Sequence, residues 1–170
     1  GRVLVDFGWL GAEAVGAADL VVVLGTDHYG DQPLTLTRQT YRTPYGDLPT
    51  AQAIVDELAQ TIGVETAFAG ELIHRSEHSV ELAAVWLHHI RQGQPCEIVP
   101  ILCGSFAPFL WSEKQPSEDQ AYNALVRTLR QVIDGRQALI VAAADLAHVG
   151  PAFGGAPQGR VERAQLQTKD

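Results

Sequence analysis

Three short apolar runs dominate the pattern of hydrophobic and polar positions along the chain. They occupy residues 20–25 (LVVVLG), 98–104 (IVPILCG) and 138–144 (ALIVAAA), and each run is continuous rather than alternating. Continuous runs of this length are typical of strands that are covered on both faces in a parallel sheet. The pattern therefore predicts three buried, parallel strands.

Helices are predicted between these strands. Apolar residues recur at helical spacing over residues 51–62, over residues 79–91 and after Ser117. Thr50 and Ser117 are predicted to cap the first and third of these helices, because their side-chain oxygens can accept a backbone N–H. Gly63 is predicted to end the first helix.

The remaining segments complete a layered arrangement. Residues 3–16 predict a weak helix, residues 34–37 (LTLT) predict an edge strand or hairpin arm, and residues 150–159 predict a long loop that leads into a helix over 160–167. The alternation of helices and apolar strands indicates an α/β fold, with a mostly parallel sheet and helices on both faces. We expect a single domain over residues 1–170.

Composition and charge exclude several classes of protein. Of the 170 residues, 46% are hydrophobic and 19% are charged, which excludes a disordered chain. The formal net charge of −8 argues against a nucleic-acid partner, since no Lys/Arg cluster is available to neutralise phosphates. No apolar run approaches the roughly 20 residues that a membrane-spanning helix needs, so no membrane partner is expected.

The two cysteines indicate a reducing compartment. Cys96 and Cys103 lie in one predicted strand, where their Cα atoms would be farther apart than the roughly 7 Å limit for a disulfide. Two free thiols, together with the lack of a signal-peptide pattern, predict a cytoplasmic protein. We interpret Cys103 as a buried, hydrophobic thiol rather than a ligand.

Acidic residues and histidines follow two of the predicted strands. Asp27 and His28 come after the first strand, and Asp145 and His148 come after the third. Ligands of open parallel sheets bind beyond the carboxyl ends of the strands, so both pairs should converge on one rim. An aspartate-capped turn would explain either pair alone, whereas two such placements favour a site for metal binding or proton transfer.

A third group of polar residues begins the second predicted helix. Ser76 or Ser79 could cap this helix, and Glu77 or Glu81 would suit its positive end. In the functional interpretation, His78 faces the same rim and donates a hydrogen bond to a bound anion or oxygen ligand. Both interpretations stay open at this point.

The other histidines favour structural roles. His74 lies in a predicted loop, and of the adjacent pair His88 and His89 one member must face solvent. Residues 43–47 (TPYGD) predict a turn by composition.

Five segments of the chain occur in the same order in one known family. They are residues 25–30 (GTDHYG), 41–49 (YRTPYGDLP), 76–87 (SEHSVELAAVWL), 98–106 (IVPILCGSF) and 142–150 (AAADLAHVG). The chain thereby resembles Memo-like proteins, which include the bacterial members called AmmeMemoRadiSam system protein B. The resemblance covers about residues 19–155 and implies the fold of the class III, LigB-type extradiol dioxygenases.

The resemblance also implies roles for site residues. Those dioxygenases hold a non-haem Fe(II) and cleave catechol rings with O₂. By this resemblance, His28 is a metal ligand, and His148 is a catalytic acid/base with Asp145 beside it. The residues then expected in the substrate pocket are Asp27, Tyr29, Glu77 and His78. Fe(II) is the expected cofactor, with copper as the alternative.

Two motifs that the resemblance implies have no counterpart in this chain. The family supplies another histidine from an upstream P-H motif and a cysteine from a downstream C-G-x-x-P type motif. We therefore expect a partial Memo-like chain, lacking N- and C-terminal parts, that binds iron or copper weakly if at all.

The function expected of the full-length protein is an oxidative or redox role at a histidine-lined metal pocket. The alternative is a non-catalytic scaffold that holds a peptide or small ligand in the same pocket, and a metal-dependent hydrolase is a third possibility. The partner is then a small molecule or peptide of unknown identity. The resemblance further implies a functional link to radical-SAM proteins.

Overall fold

A four-stranded sheet organises the chain in the computed structural model, which describes residues 11–112, 114–145, 148, 150–157 and 159. The strands are β1 (Leu20–Thr26), β2 (Leu34–Leu36), β3 (Tyr41–Thr43), β4 (Gly46–Leu48), β5 (Glu97–Cys103) and β6 (Ala138–Ala143). The helices are α1 (Ala12–Ala17), α2 (Gln52–Ile62), α3 (Val64–Phe68), α4 (His78–Ile90), α5 (Ala107–Leu110) and α6 (Gln120–Ile133). Short 3₁₀ turns cover Glu71–Arg75, Pro116–Glu118 and Pro151–Phe153.

The strand order in the sheet is β2-β5-β1-β6. The central strand β1 runs parallel to both β5 and β6, with Val22 opposite Val99 on one side and Ile140 on the other. β2 pairs antiparallel with β5 at the edge, and β3 and β4 form a separate hairpin. The predicted α/β class, the three parallel strands, the edge strand at 34–37 and the turn at 43–47 are all confirmed.

Two hydrophobic cores cover the two faces of β1. Leu20 and Val22 pack into a core with α2 and α6, whereas Val21 and Val23 pack into a core with α4. Because successive side chains of a strand point to opposite faces, a strand between two helical layers must be apolar at every position. This explains the continuous apolar run over residues 20–25 of β1.

The third predicted strand is less buried than its sequence suggests. In β6 the side chain of Ile140 is 50% exposed, although Ala138 packs against the core formed with α2 and α6. β6 lies at the end of the sheet and has only β1 as a neighbour. Its prediction as a strand covered on both faces is therefore wrong within the described residues.

Two of the predicted helix caps are also wrong. Thr50 forms a bridge with Ile98 of β5, and its hydroxyl donates to the carbonyl of Gln39 at 2.6 Å instead of capping α2. Ser117 lies within a 3₁₀ turn, and Asp119 caps α6 by accepting the backbone N–H groups of Ala121 and Tyr122 at 2.9 and 3.2 Å.

The ends of the predicted helices agree better with the structure. Gly63 ends α2 with a φ of 98°, a conformation that glycine adopts without strain. The predicted helix over residues 3–16 is described only at Ala12–Ala17, and the predicted helix over 160–167 lies outside the described residues. None of the described helices is long and apolar enough to cross a membrane, α6 being the longest at 14 residues.

The close packing of α4 on β1 leads to a prediction at Gly25. A Cβ at this position would lie 2.5 Å from Ser79 Oγ and 2.6 Å from Val80 Cγ2. Gly25→Ala should therefore push the start of α4 away from β1 and lower the free energy of unfolding by about 1–3 kcal/mol. Chemical denaturation measures this change.

Gly16→Ala is the matched control for that variant. No atom lies within 4 Å of a Cβ at Gly16, which is part of α1. Alanine is the better helix former by up to about 1 kcal/mol, so this variant should be neutral or slightly more stable. Equal stability of the Gly25 and Gly16 variants would contradict the packing argument.

Candidate functional site

His28 lies just beyond the carboxyl end of β1. The ladder with β5 continues one residue past the strand, since the backbone N–H of Asp27 donates to the carbonyl of Cys103 at 2.8 Å. The chain then turns, because Asp27 Oδ1 accepts the backbone N–H groups of Tyr29 and Gly30 at 3.0 and 2.7 Å. His28 is thereby presented at the rim of the sheet.

Glu77 connects His28 to the first turn of α4. Its buried Oε2 accepts the backbone N–H of His28 at 2.9 Å and lies 3.0 Å from the ring Nδ1 of His28. Its Oε1 accepts the backbone N–H of Ser79 at 3.0 Å and so caps α4. One carboxylate therefore fixes both a helix start and the orientation of an imidazole ring.

Asp145 approaches His28 from the other side. It lies two residues beyond β6, and its Oδ2 is 2.7 Å from Nε2 of His28. Both ring nitrogens of His28 thus face carboxylate oxygens, which can only accept when they are ionised. This arrangement suits a doubly protonated imidazolium.

The neighbouring charges and hydrogen bonds shift the pKa values of His28 and Glu77. The hydrogen bond that His28 donates to Asp145 is the largest cause of the raised pKa of His28, and Glu77 raises it further, while burial works in the opposite direction. Burial by itself would raise the pKa of Glu77. The hydrogen bonds from His28 and Ser79 outweigh burial, so the pKa of Glu77 lies below its usual value.

Two further histidines extend this arrangement. The ring of His78 stacks on that of His28, with centroids 4.8 Å apart, and its Nδ1 lies 3.1 Å from Glu77 Oε1. Nε2 of His148 lies 3.8 Å from Asp145 Oδ2, which is too long for a hydrogen bond. We call the five residues His28, Glu77, His78, Asp145 and His148 the rim cluster.

Part of the rim cluster has the donor set of a metal site. His28, Glu77 and His78 each offer a ligand atom, and these atoms lie within 4.8 Å of one another. Two imidazoles and a carboxylate are a donor set typical of non-haem Fe(II). Both oxygens of Glu77 already accept a backbone N–H, so Glu77 better suits the role of a carboxylate that orients a ligand histidine.

Comparison with known families identifies the chain. The family profile described as "Memo-like protein" matches residues 12–169. The chain belongs to the Memo-like protein family. Membership confirms the resemblance found in the sequence, and the α/β architecture is consistent with an extradiol-dioxygenase-like fold.

Several relatives of this Memo-like chain carry the description "MEMO1 family protein". One from Methanococcoides burtonii is 29% identical over 136 residues, covering 79% of this chain and 46% of the relative. One from Methanosarcina acetivorans is 31% identical over 77% of this chain and 44% of the relative, and one from Pyrococcus horikoshii is 25% identical over 91% and 51%. The Memo-like chain spans about half the length of these relatives.

The other two residues predicted to line the pocket, Asp27 and Tyr29, differ in burial. Asp27 is buried and forms the turn that presents His28, whereas the side chain of Tyr29 is 65% exposed, with its ring centroid 6.3 Å from that of His28. The roles assigned to them and to the rim cluster stay predictions. What the structure adds is that all five rim-cluster residues lie together.

The cap of α4 differs from the sequence-based interpretation. Neither Ser76 nor Ser79 caps the helix: the hydroxyl of Ser76 donates to the carbonyl of Ile73, and that of Ser79 donates to the carbonyl of Thr26 at 2.8 Å. The hydroxyl of Ser79 is instead a second link between α4 and β1. Sequence reasoning missed both this link and the hydrogen bond from His28 to Glu77, because each joins residues about 50 positions apart.

The histidines predicted to be structural are hydrogen-bonded within the Memo-like chain. Nε2 of buried His74 donates to the carbonyl of Thr35 at 3.1 Å, so Nδ1 of the neutral ring accepts from the Tyr41 hydroxyl at 2.7 Å. Burial is the main cause of the lowered pKa of His74. Buried His88 contacts Thr43 and Gly93 in a similar way.

The cysteines agree only in part with their prediction, because Cys103 is half-buried rather than fully buried. Cys96 and Cys103 are both free. Burial raises the pKa of Cys103 to about 11, so its thiol stays protonated and poorly nucleophilic near neutral pH.

Asp145→Asn tests the electrostatics of the site in the metal-free protein. Loss of the carboxylate charge should lower the pKa of His28 towards its ordinary value of about 6.5. A raised folded-state pKa stabilises the fold below the unfolded value, and this contribution is lost as the pH rises through the folded-state pKa. The wild type should therefore have a higher free energy of unfolding than Asp145→Asn at acidic pH. This difference should shrink as the pH rises through the folded-state pKa of His28.

Histidine-ring NMR titration in the presence of a chelator measures this pKa, and urea denaturation at several pH values measures the stability. Asp134→Asn is the control, because it makes the same charge change at an exposed residue at the end of α6. An unchanged pKa of His28 in Asp145→Asn would show that the 2.7 Å contact does not govern its protonation.

Proposed function

We propose that this Memo-like chain contributes to a metal-dependent oxidative or redox centre of the non-haem iron type, with copper as the alternative metal. The observation that carries the proposal is the position of His28 between two carboxylates, with Nδ1 facing Glu77 and Nε2 facing Asp145. A ligand histidine characteristically donates its second ring N–H to a carboxylate. Glu77 supplies that carboxylate.

The rim cluster fits the proposed metal. His28 would hold the ion, His78 offers a further donor atom nearby, and Glu77 would orient His28. When bound, the metal would supply open coordination positions suited to O₂ and an organic substrate. The rest of the proposal concerns what the side chains of this chain do.

Glu77 orients the imidazole of His28. By accepting from Nδ1, it keeps a proton on that nitrogen, so that Nε2, which faces Asp145 in the metal-free protein, would lose its proton and become the ligand atom when a metal binds. Glu77 is fully buried and also holds the backbone N–H of His28. It therefore limits both the rotation of the ring and the movement of the residue that carries it.

His148 would act as the acid/base that transfers a proton to or from the substrate. Its side chain is 54% exposed and its ring stacks on Phe153, with centroids 4.5 Å apart and planes 8° from parallel. Asp145 lies 3.8 Å from Nε2 of His148 and would stabilise the cation that forms when this ring accepts a proton. Asp145 is thus shared between the proposed ligand and the proposed acid/base.

The first test is metal uptake. We expect this chain to bind ferrous or cupric ion weakly, with a dissociation constant of about 1 μM or more, and His28→Ala to weaken binding at least about tenfold. Calorimetry measures both. His89→Ala removes an imidazole from the other end of α4 and serves as the control.

Unchanged affinity in His28→Ala would refute the role of His28 as a ligand. Sub-micromolar one-to-one binding that depends on His28 would instead contradict the expected weak binding.

The second test is oxygen consumption by the full-length protein that carries this sequence. After anaerobic loading with ferrous ion, it should consume O₂ when catechol is added. His148→Ala should lower the rate by about 100-fold or more while metal content stays the same, because general acid/base catalysis contributes about that much.

The alternative scaffold function predicts a different result. No O₂ uptake, together with retention of a peptide partner in a pull-down, would favour a non-catalytic binding module. Equal rates for the wild type and His148→Ala would remove His148 from the mechanism.

A further inference from the structure

Three successive backbone N–H groups, beginning at His28, donate to two carboxyl groups. The N–H of His28 donates to Glu77 Oε2 at 2.9 Å. Those of Tyr29 and Gly30 both donate to Asp27 Oδ1, at 3.0 and 2.7 Å. Each N–H of the turn therefore has an acceptor, as backbone groups in folded proteins generally do. The segment that carries the His28 ring is thereby restrained by Glu77 on one side and by Asp27 on the other.

The aspartate that closes this turn is itself held in place by the sheet. The backbone N–H of Asp27 donates to the carbonyl of Cys103 in β5 at 2.8 Å, which extends the pairing of β1 and β5 by one residue. Asp27 is also buried, with 7% of its surface exposed. The position of its carboxyl group is therefore set by β1 and β5, and the turn passes this restraint on to His28.

The two oxygens of the Asp27 carboxyl group have different surroundings. Oδ1 accepts both N–H groups of the turn, whereas Oδ2 is buried and has no hydrogen-bond partner among the described residues. The cavity of about 670 Å³ beside the turn is lined by Tyr29 and Gly30 but not by Asp27. Within the part of the chain that the structure describes, the hydrogen bonds of this side chain therefore all serve the turn.

Gly30 leaves free the space that this carboxyl group occupies. A Cβ at position 30 would overlap Oδ2 of Asp27 and would lie 2.9 Å from Cγ of the same residue. It would also lie 2.9 Å from Cδ1 of Ile73, which is the far end of a side chain that can rotate. The Asp27 carboxyl group cannot rotate in the same way without losing its hydrogen bonds to the turn. A side chain at position 30 would therefore displace the group that closes the turn.

We propose that Asp27 is a positioning residue for the His28 ring, and that Gly30 is required because it leaves room for the Asp27 carboxyl group. Asp27 would contact neither metal nor substrate and would act through the backbone of the turn. A binding group that its surroundings already hold in the productive geometry loses less free energy when its ligand binds. The consequence for metal affinity rests on the proposed function of His28, whereas the position of its ring can be measured without metal.

The competing explanation is that Asp27 acts through charge, since any negative charge near His28 would favour a bound cation. Two variants separate these explanations. Gly30→Ala retains the carboxyl group but displaces it, whereas Asp27→Asn removes any charge but retains an oxygen that accepts from the turn. In Asp27→Asn the amide nitrogen takes the place of Oδ2, so no hydrogen bond that the structure shows is lost.

Two measurements report on these variants. Nuclear Overhauser contacts between the rings of His28 and His78, whose centroids are 4.8 Å apart, report the position of the His28 ring in the metal-free protein with a chelator present. Anaerobic calorimetry with ferrous ion reports the affinity. Gly30→Ala should weaken the ring contact and lower the ferrous affinity about tenfold, a loss typical of disturbing the groups that orient a ligand. Asp27→Asn should keep the ring contact and most of the affinity.

Asp119 offers a matched control, because its Oδ1 also accepts two backbone N–H groups, those of Ala121 and Tyr122 at 2.9 and 3.2 Å. Asp27→Ala and Asp119→Ala each remove such an acceptor, the second at the start of α6. Only Asp27→Ala should weaken the ring contact and the ferrous affinity. If Gly30→Ala fails to fold, the comparison of Asp27→Ala with Asp27→Asn carries the test.

Three results would overturn the inference. The first is a wild-type ring contact together with wild-type ferrous affinity in Gly30→Ala. The second is an equal loss of affinity in Asp27→Asn and Asp27→Ala with the ring contact intact in both, because charge alone would then explain the loss. The third is an equal effect of Asp27→Ala and Asp119→Ala, which would indicate a general loss of stability.

The failure of this inference can be told apart from failure of the proposed function. Ferrous uptake that depends on His28 but is unchanged in Gly30→Ala would remove only the positioning role of Asp27. A ring contact that is lost in Gly30→Ala and kept in Asp27→Asn, in a chain that takes up no metal through His28, would remove only the metal centre.

Discussion

The buried carboxylate of Glu77 is the constraint on which the arrangement of the rim depends. Its side chain is completely inaccessible, so its charge must be compensated within the protein. The compensation comes from two backbone N–H groups, those of His28 and Ser79, and from the His28 ring. The end of β1 and the start of α4 therefore form one electrostatic unit, and displacing either element would leave a buried carboxylate oxygen without a donor.

The register of the sheet determines that Asp145 lies next to His28. Gly25 of β1 lies opposite Ala143 of β6 in a parallel pair. His28 lies three residues beyond Gly25, and Asp145 lies two residues beyond Ala143, so both follow the carboxyl ends of their strands within one residue of the same level. A shift of one residue between β1 and β6 would move Asp145 away from Nε2 of His28 and reverse the faces of the strand.

Much of this fold could be predicted from local sequence patterns, because its central strands are covered on both sides. Continuous apolar runs located β1 and β5, and helical spacing located α2 and α4. The exposure of Ile140 could not be predicted, since burial depends on which element covers a strand and not on its composition. The predicted caps were wrong for two reasons. The hydroxyl of Thr50 donates to the carbonyl of Gln39, and Ser117 lies within a 3₁₀ turn.

The candidate site was predictable only in part. Strand ends in a parallel sheet share an edge, which was enough to group His28 with Asp145 and His148. The role of Glu77 as the common partner of His28 and Ser79 depends on distances between residues remote in sequence. Within the described residues, Oδ2 of Asp27 and Oγ1 of Thr35 are buried without a hydrogen-bond partner, and this too has no local signature because it is a property of packing alone.

The two edge strands of the sheet, β2 and β6, differ in how far their side chains are buried. β2 closes one side with three residues that are all buried, whereas β6 on the other side carries the half-exposed Ile140. Among the described strands, β6 pairs only with β1, so its other side is open to pairing with an additional strand. Such a strand would lie alongside the segment that leads to Asp145, so Asp145 would change from a residue at the margin of the sheet into one near its middle.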